Sequence, residues 1–197
     1  MISFYKPTPK VTGTAMSFYL NKKDNSFFSN LIKQDSWDSG RKIGSFQKNK
    51  GVEGKSINIK WNQTEMASFI DAVDRNVEFT GYHGSNQVVR FAFGAYFPNS
   101  KNSEGEWVQG KEQKGFSFRV TRESKEDSTN KTSFVIGLTF PEAKLLREHL
   151  AYILKESFLI NDKNMEESFK RKQAQYASKQ EEAPNEVAEI EDEDDLW

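Results

Sequence analysis

One pattern occurs twice in this chain, and it constrains the fold more than any other feature. Ser56–Val73, SINIKWNQTEMASFIDAV, and Ser133–Leu150, SFVIGLTFPEAKLLREHL, both open on strict apolar alternation and then change to helical spacing. Ile57, Ile59 and Trp61 in the first copy, and Phe134, Ile136 and Leu138 in the second, have the two-residue period of a strand with one buried face. Met66, Phe69, Ile70 and Val73, then Ala143, Leu146, Leu150 and Ile153, follow the period of an amphipathic helix. Between strand and helix each copy carries a capping box, Asn62 with Glu65 and Thr139 with Glu142. In such a box the first side chain accepts from exposed first-turn amides, and the glutamate reaches back. Pro141 falls inside the first turn of the second helix, where its missing N–H costs nothing. Both boxes are separated by the same 77 residues, 62 to 139 and 65 to 142. Identity between the copies is low, so register and pattern carry the inference of a duplication.

The remaining strands fall into place around these two units. Before the first come Thr14–Leu20, Ser26–Gln34 and Arg41–Lys48, the last with Lys42, Phe46 and Lys48 on one face. The intervening DSWDSG, residues 35–40, is turn chemistry that carries Trp37. In the second half Phe79–His83 is a short strand and Gln87–Phe97 a long one, with Val89, Phe91, Phe93, Ala95 and Phe97 inward and Arg90 and Tyr96 outward. Pro98–Gly110 reads as a loop carrying Trp107, and Ser124–Asn130 as a flexible hairpin tip. Between them Gly115–Arg122 buries Phe116, Phe118 and Val120 and exposes Ser117, Arg119 and Thr121. The second helix is expected to run to about Ser157. The fold class is therefore α+β: a duplicated β4α unit (β4α-β4α), with two antiparallel sheets packed around two helices. Each half has too few helices to cover its own sheet, and the halves cover each other. The expected organisation is a 1–158 domain with half-units of about 1–76 and 77–158, a linker or frayed helix over 159–180, and a disordered acidic tail over 181–197.

Charge narrows the function. The net charge of −1 hides an asymmetry: nine acidic residues and no lysine or arginine lie from Glu181 onward, so residues 1–180, with 28 basic and 20 acidic residues, carry +8. A basic body with a detachable acidic tail points to a polyanionic ligand and a tail that competes for its site. Cysteine is absent, which removes disulfides, thiolate metal sites and cysteine nucleophiles. His83 and His149 are too few and scattered for a metal centre. No Walker, dinucleotide-binding, serine-hydrolase or zincin motif occurs, and no paired carboxylates suggest a nuclease, so neither an enzyme nor a cofactor is expected. No run approaches 18 apolar residues and MISFYKPTPK lacks a signal-peptide core, so a cytoplasmic protein with no membrane association is expected.

The outward positions mix rings with cations: Tyr19, Lys42, Phe46, Lys48, Lys60, Tyr82, Arg90, Tyr96 and Arg119, with Lys33 at a strand end and Trp37 in a turn. Single-stranded nucleic acid needs that mixture, because cations track phosphates while rings stack on unpaired bases.

Four strands and a helix, duplicated, with basic and aromatic strand faces, resemble the Whirly and transcriptional-coactivator type of single-stranded DNA-binding fold. YKPTPKVTG, FSNLIKQDSW and KWNQTEMASFI also look like small proteins of that type from bacterial viruses, although the lysine-glycine-lysine motif of plant Whirly proteins is absent. The resemblance covers most of residues 1–158. It implies sequence-tolerant ssDNA binding through sheet faces and hairpins, often with homo-oligomerisation, in a bacterial or virus-infected bacterial cell. EIEDEDDLW likewise resembles the acidic tips of bacterial and viral ssDNA-binding proteins, which implies that Asp194, Asp195, Leu196 and Trp197 bind replication or recombination partners. The expected function is to coat and protect ssDNA and recruit partners through that tip. Two alternatives remain open: an RNA-binding or transcription-associated module, and a protein-interaction module whose sheet faces form an oligomer interface.

Overall fold

The computed structural model describes residues 1–84, 87–101, 103–124 and 131–181. Met1–Phe158 forms one compact unit, and the described residues from Leu159 on belong to a second. In the first unit, β1 (Ile2–Lys6), β2 (Thr14–Asn21) and β3 (Ser26–Lys33) precede a small hairpin of β4 (Ser36–Asp38) and β5 (Ile43–Ser45). A 3-10 turn at Gln47–Asn49 leads to β6 (Ser56–Trp61) and α1 (Gln63–Arg75). The second half runs β7 (Phe79–Gly84), β8 (Gln87–Tyr96), a small hairpin of β9 (Asn99–Lys101) and β10 (Trp107–Gln109), β11 (Gly115–Ser124), β12 (Lys131–Leu138) and α2 (Phe140–Glu181). Both main sheets are antiparallel and four-stranded, ordered β1-β2-β3-β6 and β12-β11-β8-β7, so each half is a meander closed by its helix.

Both expected capping boxes form. The Glu65 amide donates to Asn62 Oδ1 at 2.8 Å and the Asn62 amide to Glu65 Oε2 at 2.9 Å. The Thr139 amide donates to Glu142 Oε2 at 2.8 Å and the Glu142 amide to Thr139 Oγ1 at 3.4 Å. The same glutamates cross between halves. Glu65 meets His83 of β7 (Oε1–Nε2 2.7 Å), and Glu142 accepts from Lys6 of β1 (Oε2–Nζ 2.7 Å). Lys6 and His83 are themselves 77 residues apart, so the duplication includes the tie from each helix to the other half's first strand.

The helices run antiparallel: Gln63 donates to Ser157 Oγ (3.3 Å), and Arg147 clamps Asp74 with bonds of 2.8–3.1 Å. Phe69 of α1 packs on Phe18 and Trp61 of the first sheet and on Phe79, Phe93 and Phe118 of the second. The sheets also meet directly, Phe18 against Phe118 and Trp61 against Phe91 at 6.2 and 4.8 Å between ring centroids. This ring-rich contact is the core of the first unit.

Four local expectations are corrected. Ile2–Lys6 is a strand that the sequence pattern does not mark; it is short, and only Ile2 and Phe4 form its buried face. Arg41–Lys48 is not a sheet strand. Asp38 Oδ1 accepts from the Gly40 and Arg41 amides at 2.9 and 3.0 Å, and Lys42 takes a left-handed φ of 54°. That turn leaves only Ile43–Ser45 to pair, with Ser36–Asp38, so Lys42, Phe46 and Lys48 do not share one strand face. The loop expected at Pro98–Gly110 holds the β9–β10 hairpin. Helix α2 continues past its expected end at Ser157 to Glu181, through the stretch expected as a linker or frayed helix, with Met165, Phe169 and Tyr176 exposed. The acidic positions 182–197, among them Asp194, Asp195, Leu196 and Trp197, lie outside the described residues, as do the hairpin-tip residues 125–130.

Candidate nucleic-acid interface

Because the two sheets bury one face each in the shared core, each leaves an outer face. On the first sheet, pairing places three cross-strand rows on that face. One row is Tyr19–Phe28–Lys60, with the Tyr19 and Phe28 rings stacked at 5.6 Å and 24°. The next is Ser3–Ser17–Asn30–Asn58, and the third Tyr5–Ala15–Ile32–Ser56.

Residues 35–50 fold over part of this face and make a cavity of about 560 Å³, lined by Tyr5, Tyr19, Asn30, Phe46 and Lys50 among others. Phe46 is 8 % exposed and sits 5.9 Å from the ring of Tyr5, which is 64 % exposed. A polar clasp holds the segment down. The buried Gln34 accepts from the Thr8 and Gly13 amides (2.8 and 3.1 Å) and donates to the Thr8 and Ser36 carbonyls (3.1 and 2.8 Å). Its neighbour Asp35 accepts from Ser36, Ser45 and the Lys48 amide at 2.8, 3.1 and 2.9 Å, and Asn49 donates to the Lys33 and Gln34 carbonyls. Burial pushes the Asp35 carboxyl up, but hydrogen bonds from Ser36, Lys48 and Ser45, with the Lys48 charge, outweigh it and hold Asp35 below the usual carboxylate range. The fit is close: a Cβ on Gly44 would stand 2.4 Å from Pro7 Cβ and 2.7 Å from Gln34 Nε2.

The outer face of the second sheet is open. Tyr82, 69 % exposed, lies opposite Arg90, which continues across the sheet to Thr121 and Ser133. The adjacent row is Thr80–Ala92–Arg119–Val135, and Tyr96 projects from the end of β8. Neither Arg90 nor Arg119 has an acidic partner among the described residues.

The sequence-derived candidates therefore divide between two faces. Tyr19 and Lys60 stand on the first sheet's outer face, with Lys42, Lys48 and the half-buried Trp37 on the segment that covers it. Tyr82, Arg90, Tyr96 and Arg119 share the second sheet's outer face. Two placements are corrected. Phe46 is not an open stacking ring but is buried against the outer face of the first sheet, because the Gln34–Asp35 clasp presses its segment down. Lys33 points to the core side in phase with Phe27 and Leu31, and its Nζ lies 5.3 Å above the ring of Phe134. Burial, and after it the charge of Lys55, holds the Lys33 ammonium below the usual lysine range. The sequence reading missed Tyr5, Phe28 and Asn30. Tyr5 went with the missed strand, although its alternation with Phe4 is visible in ISFYK. Phe28 and Asn30 lay in Ser26–Gln34, where consecutive apolar residues obscured the facing.

The histidines have structural surroundings. His83 packs against Trp61 and Phe91 beside Glu65. His149 sits on α2 near Tyr152, and burial lowers its pKa. Among the described residues there is no cluster of metal-ligating side chains, and no helix is long and apolar enough to cross a membrane.

No family model matches the chain, and no curated protein matches its sequence. Solved structures do. The plant transcriptional regulator PBF-2 aligns with a TM-score of 0.50 at 13 % identity, covering 85 % of this chain and 86 % of that one. WHY3 from Arabidopsis thaliana aligns with a TM-score of 0.47 at 11 % identity, covering 78 % and 85 %. With its two four-stranded antiparallel meanders, each followed by a helix, this chain has a Whirly-like fold.

Proposed function

We propose that this protein is a non-enzymatic single-stranded DNA-binding protein. One observation carries the reading: two outer sheet faces on one basic body, each bearing accessible rings beside cations that lack acidic partners among the described residues, Tyr5 and Tyr19 with Lys50 and Lys60 on one and Tyr82 with Arg90 and Arg119 on the other. Rings that stand out from a sheet stack on bases only where the bases are unpaired, and each stack is worth about 1 to 3 kcal/mol whatever the base. Cations between them neutralise phosphates. The finer reading is that the protein coats ssDNA during viral or bacterial replication or recombination in the cytoplasm, as a homo-oligomer, with Asp194, Asp195, Leu196 and Trp197 engaging a partner protein. PBF-2 is described as a transcriptional regulator, so RNA belongs in the same experiment.

Fluorescence anisotropy with ssDNA, duplex DNA and RNA of one sequence, over about 50 to 200 mM salt, tests the proposal. The expected result is preference for ssDNA over duplex and a steep loss of affinity with salt. Equal affinity for both DNA forms would overturn the stacking mechanism. Binding that ignores salt would instead favour a protein-interaction role for the sheet faces.

A further inference from the structure

We infer that the cavity between the first sheet's outer face and the covering segment holds one base of the bound strand, and that the Asn30 side-chain amide hydrogen-bonds the edge of that base. The inference rests on the ssDNA reading and adds a hydrogen-bonding position to a site otherwise built for stacking. A cavity of about 560 Å³ lies in the size range of small-ligand sites. The Gln34 and Asp35 clasp fixes its roof, so the space exists before ligand arrives. Tyr5, Tyr19 and Phe46 supply aromatic walls, and Lys50 is the cation of its lining.

Asn30 decides what enters. It lines the cavity, and its Oδ1 is buried without a hydrogen-bond partner. Among the described residues nothing holds its amide, although Ser17 and Asn58 lie directly across from it on β2 and β6. A buried carbonyl oxygen without a donor is unfavourable; the Asn30 Oδ1 is shut off from the cavity where it stands, and a turn of the amide about its last torsion presents it to a ligand that brings a donor. A phosphodiester or sulfate brings only acceptors and finds a single lysine. A planar heteroaromatic edge with adjacent donor and acceptor fits both the walls and the amide. The last torsion of asparagine is a broad two-fold rotor, and its two ends are one acceptor and one donor group. An unheld amide therefore turns to match cytosine in one orientation and guanine or thymine in the other. The site requires a base yet tolerates its identity.

The experiment compares Asn30→Leu, Asn30→Asp and Asn58→Leu with wild type on alternating thymine–guanine and thymine–cytosine oligonucleotides. Asn58 stands in the same cross-strand row but is not part of the cavity lining, so it controls for general changes to the face. Asn30→Leu is expected to weaken binding to both oligonucleotides about tenfold, while Asn58→Leu, outside the cavity, costs clearly less on both. Asn30→Asp accepts only. Guanine offers two adjacent donors, so the preference is expected to move toward the guanine oligonucleotide by about tenfold, a ratio that holds even if overall affinity falls. Wild-type binding with an unchanged ratio in Asn30→Asp overturns the base pocket and leaves the ssDNA reading standing. Equal losses in Asn30→Leu and Asn58→Leu also overturn it. Absence of wild-type binding to either oligonucleotide overturns both.

Discussion

Asp35 anchors the segment that covers the first sheet's outer face. It accepts three hydrogen bonds from the segment that roofs the cavity, and those bonds hold its carboxyl below the ordinary range against the opposing effect of burial. A carboxylate with a depressed folded-state pKa stabilises the structure above its unfolded value, and that contribution is lost as the pH falls through the folded value. Hydrogen exchange in the Ser36–Lys50 segment, corrected for the intrinsic pH dependence, is therefore expected to stay slow at neutral pH and to accelerate below about pH 4. Asp35→Asn should exchange faster already at pH 7 and respond little to acid. Matching protection of wild type and variant at pH 7 would remove Asp35 from the clasp. Phe46 shows the same dependence on this segment: only the clasp turns a residue flanked by lysines into a buried ring.

At the scale of elements, each helix is capped by its own half and tied to the other. Asn62→Ala removes one cap and is expected to cost about 1 kcal/mol, a fall in melting temperature of roughly 2 to 4 °C for a chain of this size. Glu142→Ala is expected to cost more, since Glu142 both completes the second box and binds Lys6 of β1. Its carboxyl is pushed up by burial and held down overall by Lys6 and Thr139. Thermal melts of the two variants at pH 7 check the ordering. If Glu142→Ala melts no lower than Asn62→Ala, the tie between halves contributes nothing measurable. The caps were legible because a capping box is a local motif of four residues. The ties were not, since Lys6 and Glu142 are 136 residues apart and no local pattern marks the pair.

For the whole molecule the organising quantity is charge. Ending the chain after Gln180 removes nine carboxylates and changes the net charge from −1 to +8. The truncated protein is expected to bind ssDNA more tightly than the full chain at low salt, and the difference should close as added salt screens the tail. Anisotropy titrations of both proteins across a salt series measure it. Equal affinities throughout would show that the acidic run does not compete for the outer sheet faces.

By itself the sequence determined the repeated strand-and-helix unit, the capped helix starts, the inward rings of β6, β8, β11 and β12, and the outward Tyr82, Arg90 and Arg119. All of these follow from periodicity or from motifs within a few residues, and a two-residue period assigns a face without knowledge of the neighbour. Only the tertiary structure decided which segments join a sheet and which lie across it. Arg41–Lys48 became a roof because Asp38 turns the chain and Gln34 and Asp35 capture it, and Ile2–Lys6 became a strand because Thr14–Asn21 pairs with it. Facing at Lys33, the burial of Phe46 and the unpaired amide of Asn30 depend on those long-range contacts, which is why the cavity had no signature in the chain.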